Sequence, residues 1–114
     1  MQNDAILTAQ VKRKLNITWS DDDTDARVED IISSAKPIIR HKLGITEEDF
    51  DFSTAGLENA LLLSYCLYEW NNAVNEWDSN YANEILQARA KYEVAHYTAE
   101  QAQEGEADVQ AENL

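Results

Sequence analysis

The 114-residue chain contains one cysteine, one proline and three glycines. A single cysteine, Cys66, excludes an intramolecular disulfide and suits a reducing compartment. Its sequence neighbours are apolar, which predicts a small buried hydrophobe rather than a reactive thiol. With so few glycines and prolines, long regular elements are favoured over many turns. Positive charge is also scarce. Lys and Arg number 9 against 22 Asp and Glu, a net charge of −13. That argues against gripping nucleic acid by its phosphates and against binding an anionic membrane surface. No apolar run approaches the ~20 residues of a membrane-spanning helix. The opening stretch MQNDAILTAQ lacks a basic segment followed by an apolar one, so no secretory signal is expected.

Recognisable chemistry is scarce too. The acidic loop DDDTD fails as an EF-hand begun at Asp21, because Ala26 and Ile32 stand where a glycine and a bidentate glutamate are required. It reads instead as a solvated helix cap. His41 and His96 belong to no zinc-type cluster. There is no glycine-rich phosphate loop and no nucleophile elbow. Glu69 and Glu76, flanking aromatics, are the best-placed carboxylates for a raised pKa, but nothing beside them completes a catalytic set. Asn16-Ile17-Thr18 matches a glycosylation sequon that has no secretory context. Neither enzyme activity nor a cofactor or metal is expected.

What the chain does have is helical periodicity, which predicts an all-α bundle of about four helices with an extended acidic C-terminal tail. The first helix covers about residues 4–15, with Leu7, Val11 and Leu15 on one stripe. A second follows the acidic loop, capped by Asp23, Thr24 or Asp25 and running to Leu43. Its stripe is Val28, Ile31, Ile32, Ala35, Ile38, Ile39 and Leu43 or Lys42, with Gly44 as a left-handed stop. Pro37 predicts a kink near residues 33–37. The third helix, about residues 55–77 and capped by Ser53 or Thr54, shows a near-heptad seam of Ala60, Leu63, Leu67, Trp70, Val74 and Trp77. Leu61, Leu62 and Tyr65 give its first half a second apolar side. That half is expected at the centre of the bundle, and the aromatics beyond it as a core lid or as anchors for another chain. The fourth helix covers about residues 81–97, with Tyr81, Ile85, Ala88, Tyr92 and Ala95 on its stripe. Residues 1–98 thus form the domain. The 99–114 tail, with five acidic residues and no basic one, is expected to be disordered or a fraying helix. Six of the nine basic residues lie at 12–14 and 36–42, and none lies between Leu43 and Ala88. This segregation suits head-to-tail pairing of unlike faces.

Several short segments, in order, resemble the small head–tail connector (adaptor) proteins of tailed bacteriophages. They are Leu7-Thr8, Val11-Lys12, Leu15-Asn16-Ile17, the acidic turn, Leu43-Gly44, and Tyr68-Glu69 with Asn71. Together they span about residues 6 to 75. Pro37 departs from that pattern, as does Asn72, near which such proteins often carry an arginine. The resemblance implies a structural, non-enzymatic virion protein made in the host cytoplasm. It implies a ring of about a dozen copies, a dodecamer, joined by heterologous contacts at the head–tail junction. Such a ring docks on the portal protein, extends the DNA channel and meets the next stopper or tail protein. DNA passes through without specific binding, and no membrane is involved. On this expectation Trp19, Trp70, Trp77 and Arg40 contact neighbouring subunits or partners. Tyr92, Tyr97, Val109 and Leu114 dock the portal, and Glu47, Glu48, Asp49 and Asp51 face the channel. The competing expectation is an acidic DNA mimic that inhibits a nucleic-acid-binding enzyme, and a third is a bacterial helical adaptor with no viral role.

Overall fold

The structure is a computed structural model that describes the backbone of residues 2–112 and the side chains of residues 4–98. Five helices follow one another, and no strand occurs among the described residues: α1 (Gln2–Lys14), α2 (Asp22–Leu43), α3 (Leu57–Trp70), α4 (Val74–Asn80) and α5 (Ala82–Glu112).

Three of these helices stop in the same way. Asn16 (φ 60), Gly44 (φ 77) and Asn72 (φ 57) each adopt the left-handed conformation just past a helix end. The next amide then reaches back to a carbonyl of the last turn: Ile17 to Lys12 (2.9 Å), Ile45 to Arg40 (2.9 Å) and Ala73 to Tyr68 (2.8 Å). These are Schellman motifs, in which the residue after the stop turns inward onto the helix it leaves. Ile17 and Ile45 are accordingly buried. Gly44 fills the expected place. Asn72 corrects the expected third helix, since the 55–77 stretch is two helices with a reversal at residues 71–73.

The helix starts also differ from expectation. Asp21, not a later acid, caps α2, accepting from the Thr24 amide at 2.9 Å. The start of α3 is Gly56, with no side-chain cap, at φ 157 and ψ −172. That backbone region is closed to residues with a Cβ. α2 passes through Pro37 as one continuous helix. Ser33, whose carbonyl loses its donor there, lies on the solvent side and is open to water.

The core takes Leu7, Val11 and Leu15 from α1 and Val28, Ile31, Ile32, Ala35, Ile39 and Leu43 from α2, as the periodicity predicts. Ile38 is the exception, turned out at 37% exposure. On α3 the buried face is Leu61, Leu62, Tyr65 and Cys66. The heptad seam is the half-covered side: Leu63, Leu67, Trp70 and Val74 are partly buried, and Ala60 is exposed. α5 continues to Glu112, so the tail's backbone is helical, and among the described residues its core face is Ile85, Ala88 and Tyr92. A compact chain of this length has a radius of gyration of about 13 Å. The observed value is 18.3 Å, with extents of 67 × 32 × 19 Å, because α5 runs on past the bundle.

Candidate interaction surfaces

The three tryptophans have three different environments. Trp77 is fully buried, and its Nε1 donates to Ser64 Oγ at 2.9 Å. Tyr65 meets it edge-on at 5.2 Å between centroids, and Tyr81 stacks at 5.9 Å. It therefore seals the chain's own core, and its assignment as an inter-subunit anchor is corrected. The reversal at Asn72 swings α4 back across α3 and carries Trp77 inward. Trp70 is half-buried, with the Arg27 guanidinium 4.2 Å from its ring centroid. Arg27 also donates to the Trp70 carbonyl at 3.0 Å, placing a cation at the negative end of α3. Trp19, in the α1–α2 loop, is 53% exposed, and its Nε1 donates to Thr24 Oγ1 at 3.3 Å.

The basic residues are largely satisfied within the chain. Lys12 pairs with Asp25, Lys36 with Asp4, Lys42 with Asp78, Lys91 with Glu58 and Arg89 with Glu93. Thus the segments expected to form a positive face give up three of their charges to the chain's own acids. Arg40 is half-buried beside a cavity of about 380 Å³ that Glu48, Asp49 and Asp51 also line. The structure therefore brings one predicted contact residue together with three acids expected at the channel wall. Glu47, Glu48 and Asp49 are exposed. Asp51, partly exposed, also holds its own loop. It accepts from the Ser53 amide at 2.9 Å and from the Ser53 and Thr54 hydroxyls. The Ser53 hydroxyl and amide hold the Asp51 carboxyl below its ordinary value. Asp51 thus caps the loop that carries the other three acids.

Tyr92, half-buried, packs on the chain's own core. Its hydroxyl donates to Glu58 Oε1 at 2.9 Å, and its ring meets Phe50 edge-on at 6.4 Å. Burial, with the Glu58 carboxylate beside it, raises its pKa. Lys91 Nζ reaches the same Glu58 oxygen at 2.6 Å. Burial opposes ionisation of Glu58, but Lys91, the backbone and Tyr92 outweigh it, and its pKa lies below normal. The periodicity places Tyr92 on the core stripe but gives no sign of Glu58, which is remote in sequence and joined to it only by folding. Tyr97, 62% exposed, remains available for contact. The side chains of Val109 and Leu114 lie outside the described residues.

No potential metal cluster of three or more His, Cys, Asp or Glu occurs among the described residues. No helix among the described residues is long and apolar enough to cross a membrane. Cys66 is buried, and burial pushes its thiol up to about 12. The described surface carries exposed apolar and aromatic side chains. Trp19, Leu86, Val94 and Tyr97 are more than half exposed, and the α3 seam is only half covered. No protein family, curated protein or solved structure matches the chain.

Proposed function

We propose that the protein is a structural head–tail connector of a tailed bacteriophage. On this reading it forms a ring at the head–tail junction, docks on the portal, extends the DNA channel and binds the next head-completion or tail protein. The supporting observation is where the phage-like residues sit. Leu7, Val11, Leu15, Ile17 and Leu43 are all in the core, and Asn16 and Gly44 are left-handed helix stops. The resemblance thus follows one physical unit, α1 to α3, rather than scattered matches. The exposed Trp19 and the half-covered Trp70 and Arg40 are the residues the proposal assigns to neighbouring subunits or partners, and the exposed Tyr97 is one it assigns to the portal. Glu47, Glu48 and Asp49 are the acids it assigns to the channel wall, where negative charge keeps DNA phosphates from sticking.

The test is to mix the purified chain with the portal protein of the same phage and image the product by negative stain. Rings seated on the portal are expected, and deletion of residues 99–114 should abolish portal capture. A chain that ignores the portal overturns the reading. Inhibition of a nuclease in place of ring formation would favour the acidic-mimic alternative, which the net charge of −13 supports by itself.

A further inference from the structure

α5 carries a second apolar stripe, on the side turned away from the bundle. Leu86, Ala90, Val94 and Tyr97 recur at spacings of four, four and three, which places them on one helix face. That face is roughly opposite the one formed by Ile85, Ala88 and Tyr92, at ~100° of turn per residue. Leu86, Val94 and Tyr97 are 63%, 63% and 62% exposed, and Ala90 is exposed as well. Along one edge of the stripe lies the ion pair Arg89–Glu93, open to solvent with side chains 54% and 67% exposed.

This pattern is its own complement when reversed about a point near Lys91. We propose that two copies of the chain pair through α5, antiparallel and about a two-fold axis. Leu86 then packs beside Tyr97 of the second copy, and Ala90 beside its Val94, a large residue against a small one at the centre. In an antiparallel pair the same edge of each helix faces its equivalent. Arg89 of each chain therefore meets Glu93 of the other. A parallel pair would set that edge against Gln87 and Lys91, so that Glu93 could meet Lys91 but Arg89 would gain no acidic partner across the contact. It would also lay the five acids of each 99–114 segment side by side, whereas the antiparallel pair points the two segments in opposite directions.

The contact is small, below the ~1,200 Å² of a standard interface, so the dimer is weak, with Kd on the order of 10–100 µM. Repulsion between two chains of −13 opposes it and is screened by salt. The inference does not depend on the phage reading, but the dimer would cover Tyr97 in the free protein and hold it from other partners.

Sedimentation of the full chain in about 0.3 M NaCl, where the Debye length is well under 10 Å, tests it. The expected result is concentration-dependent formation of a species with the mass of two 13.0 kDa chains. Val94→Glu should abolish that species while far-UV circular dichroism stays unchanged. Arg89→Glu should weaken pairing roughly tenfold, and Arg89→Glu with Glu93→Arg should restore it. A monomer at every concentration overturns the inference, as do a pairing indifferent to Val94→Glu and a charge swap that fails to restore it. None of these results bears on the portal experiment.

Discussion

Ser64 and Trp77 show how one residue pair decides what a surface is for. The Ser64 hydroxyl donates to the Leu61 carbonyl at 2.8 Å and accepts the Trp77 indole N–H. An indole on the outside would satisfy that N–H with water; inside, it needs this hydroxyl. Ser64→Ala is expected to cost about 1–3 kcal/mol, because it strands a buried donor. The urea midpoint should fall with an unchanged slope. Combined with Trp77→Phe, the loss should be less than the sum of the two single losses, since the donor is then gone as well. Asn72 is decisive in another way. At φ 57, replacement by alanine should cost about 1 kcal/mol, and glycine should be neutral or stabilising by up to about the same amount. Thermal unfolding of the two variants provides the check. No residue beside Asn72 signals the reversal; an asparagine pair inside an apolar period is the only clue, and the seam spacing overrides it.

Among the elements, α1 was legible in its core face and α2 in its core face apart from Ile38, though not in its cap at Asp21 or its unbroken passage through Pro37, and α3 was legible only in outline. A helix with one covered face has one stripe, and α1 and α2 each have one. α3 is central, touched by every other helix, and carries apolar residues on two sides. Spacing alone cannot rank two stripes. The tighter packing went to Leu61, Leu62, Tyr65 and Cys66, where Trp77 of α4 meets Tyr65 edge-on. Among the described residues, Tyr92 is the last of α5 packed on the core. Truncation after residue 98 is therefore expected to leave the bundle folded, with Tm shifted by no more than about 2 °C, since surface changes away from the core cost within about 0.5 kcal/mol. Differential scanning calorimetry measures this. A large fall would mean that residues 99–114 pack on the body.

For the whole molecule, charge sets the response to solvent. Asp4, Asp21, Asp25, Asp51 and Glu58 all titrate below their ordinary values. For Asp4 the main cause is the Lys36 ammonium, for Asp21 the Thr24 amide, for Asp25 the Lys12 ammonium, and for Asp51 the Ser53 hydroxyl. Folding therefore releases protons, and the stability these groups supply is present above the unfolded carboxylate values of 3.8 and 4.5. It is lost as pH falls through the lower folded values. Tyr65, Cys66 and Tyr92 are raised, chiefly by burial. Their contribution is present at neutral pH and lost as pH climbs past the unfolded values of 9.0 and 10.0. A plot of Tm against pH should be flat between these limits and fall on both sides. Salt acts on two opposed terms. Each exposed ion pair contributes at most about 1 kcal/mol, while the excess negative charge repels itself across the whole body. The repulsion is larger, so Tm is expected to rise from low salt to about 0.5 M NaCl.

The sequence by itself determined the helical class, the α1 and α2 core faces and the stop at Gly44, because each follows from local spacing or from a residue free of a Cβ. It also determined the net charge of −13, since net charge needs no fold to be read. Tertiary structure alone decided that Trp77 is a core residue, that Tyr92 bonds Glu58, and that most cations are taken by the chain's own acids. Each of those outcomes joins residues distant in sequence or turns on one left-handed residue at Asn72, and hydrophobic period carries no information about either.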